Sequence, residues 1–200
     1  MKKQRMLVHI CCAPDALYVM ELLHKDYDVN GFFYNPNIHP RSEFYKRLEE
    51  TRKVAQILKF KLIEGIYDDN RWFKIIEKFK DEPEKGKRCD VCYAIRLEST
   101  AQRAAESGFD IFTTVMSLSP WKKASVMNRM GRMFANKYKI DFLEANFKKQ
   151  NGFRKSVELS KNHKLYRQNY CGCLYSIRKK KRQDKQDIIN SKLKTYFSEE

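Results

Sequence analysis

No stretch of the sequence approaches the roughly 18 uncharged apolar residues of a membrane helix. No basic helix carries the Trp/Phe/Leu face that would lay it on a lipid surface either, so a membrane is not expected as a partner. The start, MKKQRMLVHICC, is positive like a secretion signal. Its apolar run ends at Ile10, however, where cysteines follow at once and no A-x-A site appears. A cytoplasmic protein is expected. Walker A, G-x-G-x-x-G, H-E-x-x-H and G-x-S-x-G patterns are all missing, as is any flavin motif. Internal repeats and long linkers are missing too. The expectation is one domain over 1–177, followed by a basic extension over 178–200. With 42% hydrophobic residues in 200, such a chain can build a core without disulfides.

What the sequence does have is six cysteines in three tight doublets: Cys11-Cys12, Cys89-x-x-Cys92 and Cys171-x-Cys173. None is left over. In a reducing compartment, closely spaced thiols point to metal or redox chemistry rather than disulfides. Asp15 follows Cys11 by four residues and falls in the first turn of an expected helix, whose N-terminus favours thiolate charge. Seven candidate ligands exceed the four of one tetrahedral zinc or one four-iron cluster, and suit two neighbouring centres. Adjacent side chains diverge, so Cys11 and Cys12 suit bridging or division between those centres. Three plainer readings stand beside this one. Cys11 and Cys12 could be ordinary buried cysteines, the other four a structural zinc knot, and Cys89-x-x-Cys92 an exchanging dithiol.

Charge supplies the partner. Lys and Arg number 41 against 25 Asp and Glu, a net +16. A polyanion is favoured, because neutralised phosphates release condensed counterions. Aromatics at 13%, interleaved with the basic residues, suit single-stranded nucleic acid, whose unstacked bases stack on rings. Solvated lysines without a role are the alternative. Arg167, Gln168 and Tyr170 precede the third doublet and could hold a phosphate or base edge. The run Arg178-Lys179-Lys180-Lys181-Arg182 follows it and could meet backbone phosphates.

Apolar periodicity predicts strands at 6–10, 28–34, 60–66, 110–118 and 141–147. Helices are predicted at 15–25, from a Ser42 cap to 58, at 71–80, 91–107, after Lys122 to about 139, and at 154–163. Leu17, Met20, Leu22 and Leu23 form the stripe of the first helix; Phe44, Leu48, Val54, Ile57 and Leu58 form that of the second. The order predicts a parallel, Rossmann-like α/β sheet with a more helical second half. Ligands of such sheets bind beyond the carboxyl ends of the strands. The Cys11-Cys12 turn, the Asn35–Pro40 loop and the Ser119–Lys122 loop are expected on that rim. At the first of these, a nucleotide-binding sheet would carry phosphate-binding glycines; here it carries cysteines, which argues against ATP.

In order along 6–177, the segments His9-Ile10-Cys11-Cys12-Ala13-Pro14, Tyr34-Asn35-Pro36-Asn37-Ile38-His39-Pro40, Arg88-Cys89-x-x-Cys92-Tyr93, Thr113-Thr114 with Ser119-Pro120-x-Lys122, and Tyr170-Cys171-Gly172-Cys173 resemble the cobalamin-independent epoxyqueuosine reductases. Asp15 is a departure, since many members of that family have cysteine there; it is either a hard oxygen ligand to iron or only a helix cap. The resemblance implies an oxidoreductase that removes the epoxide oxygen of epoxyqueuosine at the wobble position of tRNA with a GUN anticodon, giving queuosine. It implies a sheet like that of the nucleotide α-hydrolase group, a [4Fe-4S] cluster and an additional mononuclear iron. Cys89, Cys92, Cys171 and Cys173, with Asp15, are expected to hold the cluster, and Cys11 and Cys12 the substrate-facing iron. His39 and Lys122 are expected as proton donors or substrate contacts, and Tyr34, Asn35, Asn37, Ser119, Arg167 and Gln168 as substrate contacts. Electrons are expected from ferredoxin or flavodoxin. Two rivals remain: an ATP-dependent tRNA thiolase of the same sheet class, and a non-catalytic RNA-binding protein with a structural zinc.

Overall fold

The computed structural model describes residues 2–177. The extension over 178–200, with its Arg178–Arg182 run, lies outside the described residues. Five parallel strands form one sheet in the order β3-β2-β1-β4-β5. They are β1 (Arg5–His9), β2 (Asp28–Phe33), β3 (Leu62–Glu64), β4 (Ile111–Thr114) and β5 (Asp141–Phe142). The expected parallel α/β architecture is present. β1 is the central strand, and Met6, Leu7, Val8 and His9 on it have no exposure at all. A continuous apolar run is what a strand covered on both faces needs.

Among the described residues six helices connect and cover the sheet: α1 (Ala13–Leu23), α2 (Arg41–Leu58), α3 (Asp69–Ile76), α4 (Lys87–Glu106), α5 (Ala124–Tyr138) and α6 (Gly152–Asn162). α1 packs against α2 and α6, while α4 packs against α5, β1 and β4. Strand order runs outward from β1 in both directions, so the topological switch lies between β1 and β4. Loops leaving the carboxyl ends of these two strands open a crevice there.

Several elements differ from the sequence expectation. β4 stops at Thr114, whose Oγ1 accepts from the Met116 N–H at 3.1 Å and turns the chain into a 3-10 segment, Val115–Leu118. β5 is an edge strand of two residues; after Leu143 donates to the Phe112 carbonyl at 3.0 Å the chain turns away. α2 begins at Arg41 behind an extended Pro40, which places Ser42 inside the first turn rather than at the cap. α3 is capped by the Asp68 carboxylate, which accepts from the Arg71 N–H at 3.1 Å, and it tightens to a 3-10 turn over Glu77–Phe79. α4 starts four residues before its expected boundary and so takes in both Cys89 and Cys92. Leu22 and Ile57, expected on apolar stripes, are exposed.

Beside the main core lies a second apolar cluster of Trp72, Phe73, Ile76, Cys92 and Leu174. It joins α3, the start of α4 and the segment after the third cysteine doublet. Burial of these side chains draws that distant segment back to the sheet's rim.

Candidate metal centre

Each doublet reaches one cavity of about 500 Å³ at the rim, lined by Cys11, Asp15, Cys89, Cys92, Cys171 and Cys173, while Cys12 is buried beside Cys11 and does not line it. All six cysteines are free thiols. β1 delivers the first doublet. Pro14 sits in the opening turn of α1, where a missing N–H costs nothing, and Cys12 is the extended residue at the helix cap. Contrary to the expected divergence, the two adjacent thiols converge. Cys11 Sγ lies 3.9 Å from Cys12 Sγ and 4.0 Å from Asp15 Oδ2. The ligand atoms of the three residues lie within 4.8 Å of one another, all of them buried. That is a donor set for one metal ion, with soft sulfur and hard oxygen together.

The second doublet occupies the first turns of α4, where a spacing of three puts both thiols on one face. The Lys85 N–H donates to Cys89 Sγ at 3.2 Å. The third doublet brackets Gly172, whose φ of +111° lies in the left-handed region open to glycine. A side chain there would also press on Ile38 Cγ1 at 2.9 Å and Arg47 Nη1 at 3.0 Å. This loop is tied to two elements. Arg47 of α2 donates through Nη1 to the Cys171 carbonyl at 3.1 Å and through Nη2 to the Tyr170 carbonyl at 3.2 Å. The His39 N–H donates to the Gly172 carbonyl at 2.8 Å, and the Tyr170 hydroxyl donates back to the His39 carbonyl.

Electrostatics make most of these groups costly as free anions. The hydrogen bond from Cys12 holds the Cys11 thiol well below its ordinary pKa, with Lys122 and Arg96 adding to the effect, and the same bond pushes Cys12 up. Burial beside the Cys11 thiolate pushes Asp15 up to about 7. Burial likewise raises Cys89, Cys92 and Cys173. Burial works against charge on Lys122, yet Cys11 and Cys171 hold its ammonium above the usual lysine range. Crowded, desolvated thiols are costly as free thiolates, and a bound cation removes that cost.

Of the other residues read from the sequence, Ser119, Lys122, Arg167 and Gln168 line the cavity. Arg167 donates to Ser160 Oγ at 2.6 Å, and the Lys122 carbonyl accepts from Lys148 Nζ at 2.6 Å. Tyr34, Asn35, Asn37 and His39 are buried and do not line it. Asn35 Nδ2 donates to the Ile10 carbonyl at 2.8 Å, bracing the Cys11-Cys12 turn from behind. The Tyr34 carbonyl meets His9 Nε2 at 3.1 Å. The His39 ring bonds through Nδ1 to the Asn37 carbonyl at 2.8 Å and packs on Phe73, with centroids 4.7 Å apart. Arg47, Arg96 and Trp121 line the cavity without having been singled out in the sequence. Only Arg96 carried a signal, its helical spacing of four from Cys92.

A family model described as epoxyqueuosine reductase QueH matches residues 6–179. The epoxyqueuosine reductase QueH of Histophilus somni is 40% identical over 176 residues, covering 87% of this chain and 72% of that protein. That of Thermotoga maritima is 38% identical over 174 residues, covering 86% and 89% respectively. Among solved structures, the U34-tRNA thiolase NcsA from Methanococcus maripaludis with its [4Fe-4S] cluster aligns with a TM-score of 0.55. It is 11% identical, covering 98% of this chain and 68% of that one, a likeness of fold. The chain belongs to the epoxyqueuosine reductase QueH family.

Proposed function

We propose that this protein removes the epoxide oxygen of epoxyqueuosine in tRNA, using an iron–sulfur centre held in the thiol cavity. The observation that carries this reading is the meeting of all three cysteine doublets on one cavity at the sheet's switch point. The donor set fits iron and sulfide: soft thiols in excess of one tetrahedral site, with one carboxylate. The reaction takes an epoxide, two electrons and two protons to an alkene and water. A four-iron cluster supplies single electrons when bound, and an additional iron would supply Lewis acidity.

The protein's own residues divide the remaining work. Cys89, Cys92, Cys171 and Cys173 hold the cluster. Cys11, Cys12 and Asp15, which converge within 4.8 Å, hold the additional iron. Lys122 keeps a proton on Nζ beside the thiols and delivers it to the departing oxygen. Ser119, Arg167 and Gln168 bind the polar edge of the nucleoside, and buried Gln168 Oε1, without a partner among the described residues, is one acceptor for it. Asn35 and His39 act by holding the first and third cysteine turns in place, and Tyr34 and Asn37 by packing behind them.

No cobalamin is required, the substrate is tRNA with a GUN anticodon, the electron donor is a ferredoxin or flavodoxin, and the protein works in the cytoplasm. No helix among the described residues is long and apolar enough to cross a membrane. The test is anaerobic reconstitution with iron and sulfide, then incubation with epoxyqueuosine-containing tRNA and a strong reductant, omitting ATP and cobalamin. Digestion and mass spectrometry should show the nucleoside lighter by one oxygen. A colourless protein holding one zinc and leaving the nucleoside intact would refute the reading.

A further inference from the structure

Three buried arginines, Arg47, Arg88 and Arg96, border the thiol cavity, and they are bonded differently. Arg88 Nη1 donates to the Lys80 carbonyl at 2.9 Å and also to the Glu82 carbonyl, and its guanidinium carbon lies 4.4 Å from the Tyr175 ring centroid. Arg47 spends Nε on Glu43 Oε1 at 2.7 Å and both terminal nitrogens on backbone carbonyls. Arg96, on α4 and 1% exposed, donates from Nε to the Cys92 carbonyl at 3.1 Å. Its guanidinium carbon lies 5.5 Å from the Tyr93 ring centroid. Its Nη2 is buried and has no hydrogen-bond partner among the described residues. Arg96 also forms no ion pair with a carboxylate there.

A guanidinium stays charged at any ordinary pH, so it cannot relieve its burial by losing a proton. An unmatched buried cation is costly, and burial of one persists where an anion meets it. Arg96 shares the cavity wall with Cys11, Cys92 and Cys171, one thiol from each doublet. Arg96 therefore faces the whole constellation rather than one ligand. Its free donor, its fixed charge and its place on the cavity wall all call for an anion in the cavity.

Resting on the function proposed above, we propose that Arg96 is the charge-compensating residue of the iron–sulfur centre. Its cation balances the anionic sulfurs and stabilises the reduced form over the oxidised one. Each electron added makes the centre more negative, and a fixed positive charge in a poorly solvated cavity favours that state. Net charge and hydrogen bonds to sulfur are among the levers that set cluster potentials. Lys122, carried on a flexible stem from the rim, is free to handle protons. Arg96 is a positioning and tuning residue that need not touch substrate.

The test compares anaerobically reconstituted wild type, Arg96→Gln and Arg96→Lys by iron and sulfide content and by EPR-monitored redox titration. Arg96→Gln should hold the wild-type complement of iron with a more negative midpoint. A tenfold loss of reduced-state preference corresponds to about 59 mV for one electron. Arg96→Lys should stay near the wild-type midpoint. A fully loaded Arg96→Gln with an unchanged midpoint would overturn the proposal. Should Arg96→Gln fail to load, restored loading in Arg96→Lys supports charge compensation, whereas failure of both at unchanged melting temperature overturns it. A wild type that holds no iron–sulfur centre instead refutes the underlying function, and this inference falls with it.

Discussion

Arg47 shows what one buried side chain does for a cysteine loop. Arg47→Met keeps much of the stem's packing but strands the Tyr170 and Cys171 carbonyls and removes the cation beside Glu43. Breaking one partner of a buried charged network costs about 3 kcal/mol. Urea unfolding should register that loss, and iron per chain should fall because Cys171 and Cys173 ride on the released loop. Arg47→Lys should not rescue it, since one ammonium cannot serve a carboxylate and two carbonyls in a fixed fork. Wild-type unfolding and iron content in either variant would count against this account. The cysteines were legible in the sequence because spacing alone marks them. Arg47 was not, because α2 also carries Arg41, Lys46, Arg52 and Lys53, and sequence does not separate a buried cation from a solvated one. His39 was read as a proton donor from its residue type. Its placement among Phe73, Trp72 and the Gly172 carbonyl comes from tertiary packing that no local pattern encodes.

At the scale of elements, α6 is the one whose seating reaches the site from furthest along the chain. Ser156 Oγ donates to the Pro14 carbonyl at 2.9 Å, tying α6 to the first turn of α1 behind Cys11 and Cys12. Phe153, next to the helix start, lines the cavity. The close approach depends on Gly152, where an added Cβ would fall 1.9 Å from the Phe147 carbonyl oxygen. That oxygen belongs to backbone, so the helix itself must shift. Gly152→Ala is expected to lower stability by about 1–3 kcal/mol, as overpacking does, and to lower the melting temperature accordingly. A melting temperature equal to wild type would show the contact relaxes freely. The parallel strands and the order of helices were legible from apolar runs and their spacing. Their ends were not: Thr114 ends β4 with a side-chain hydrogen bond, and β5 is short at an edge with one neighbour. Neither cause is visible in hydrophobicity.

For the molecule as a whole, the net charge of +16 favours a polyanionic partner, and the fold adds an exposed aromatic side chain at the cavity as the place to test for it. Trp121, 68% exposed, lines the cavity, and Lys85 Nζ lies 5.1 Å from its ring centroid. An exposed indole beside a cation offers a stacking face and a phosphate partner together, the combination that holds unpaired nucleotides. The chain's other tryptophan, Trp72, is 1% exposed. Quenching of tryptophan emission by an anticodon stem-loop should therefore report on the rim. Stacking contributes about 1–3 kcal/mol per base, so Trp121→Ala should weaken binding roughly tenfold or more and abolish the quenching. Removing the residues after Ser176 is expected to act differently. It should lower affinity and flatten the salt dependence, because lysines and arginines that release counterions are lost, while leaving the Trp121 signal and the metal content in place. Equal affinity and equal quenching in wild type and Trp121→Ala would move the RNA away from this rim. An unchanged salt slope after truncation would take the basic extension out of binding.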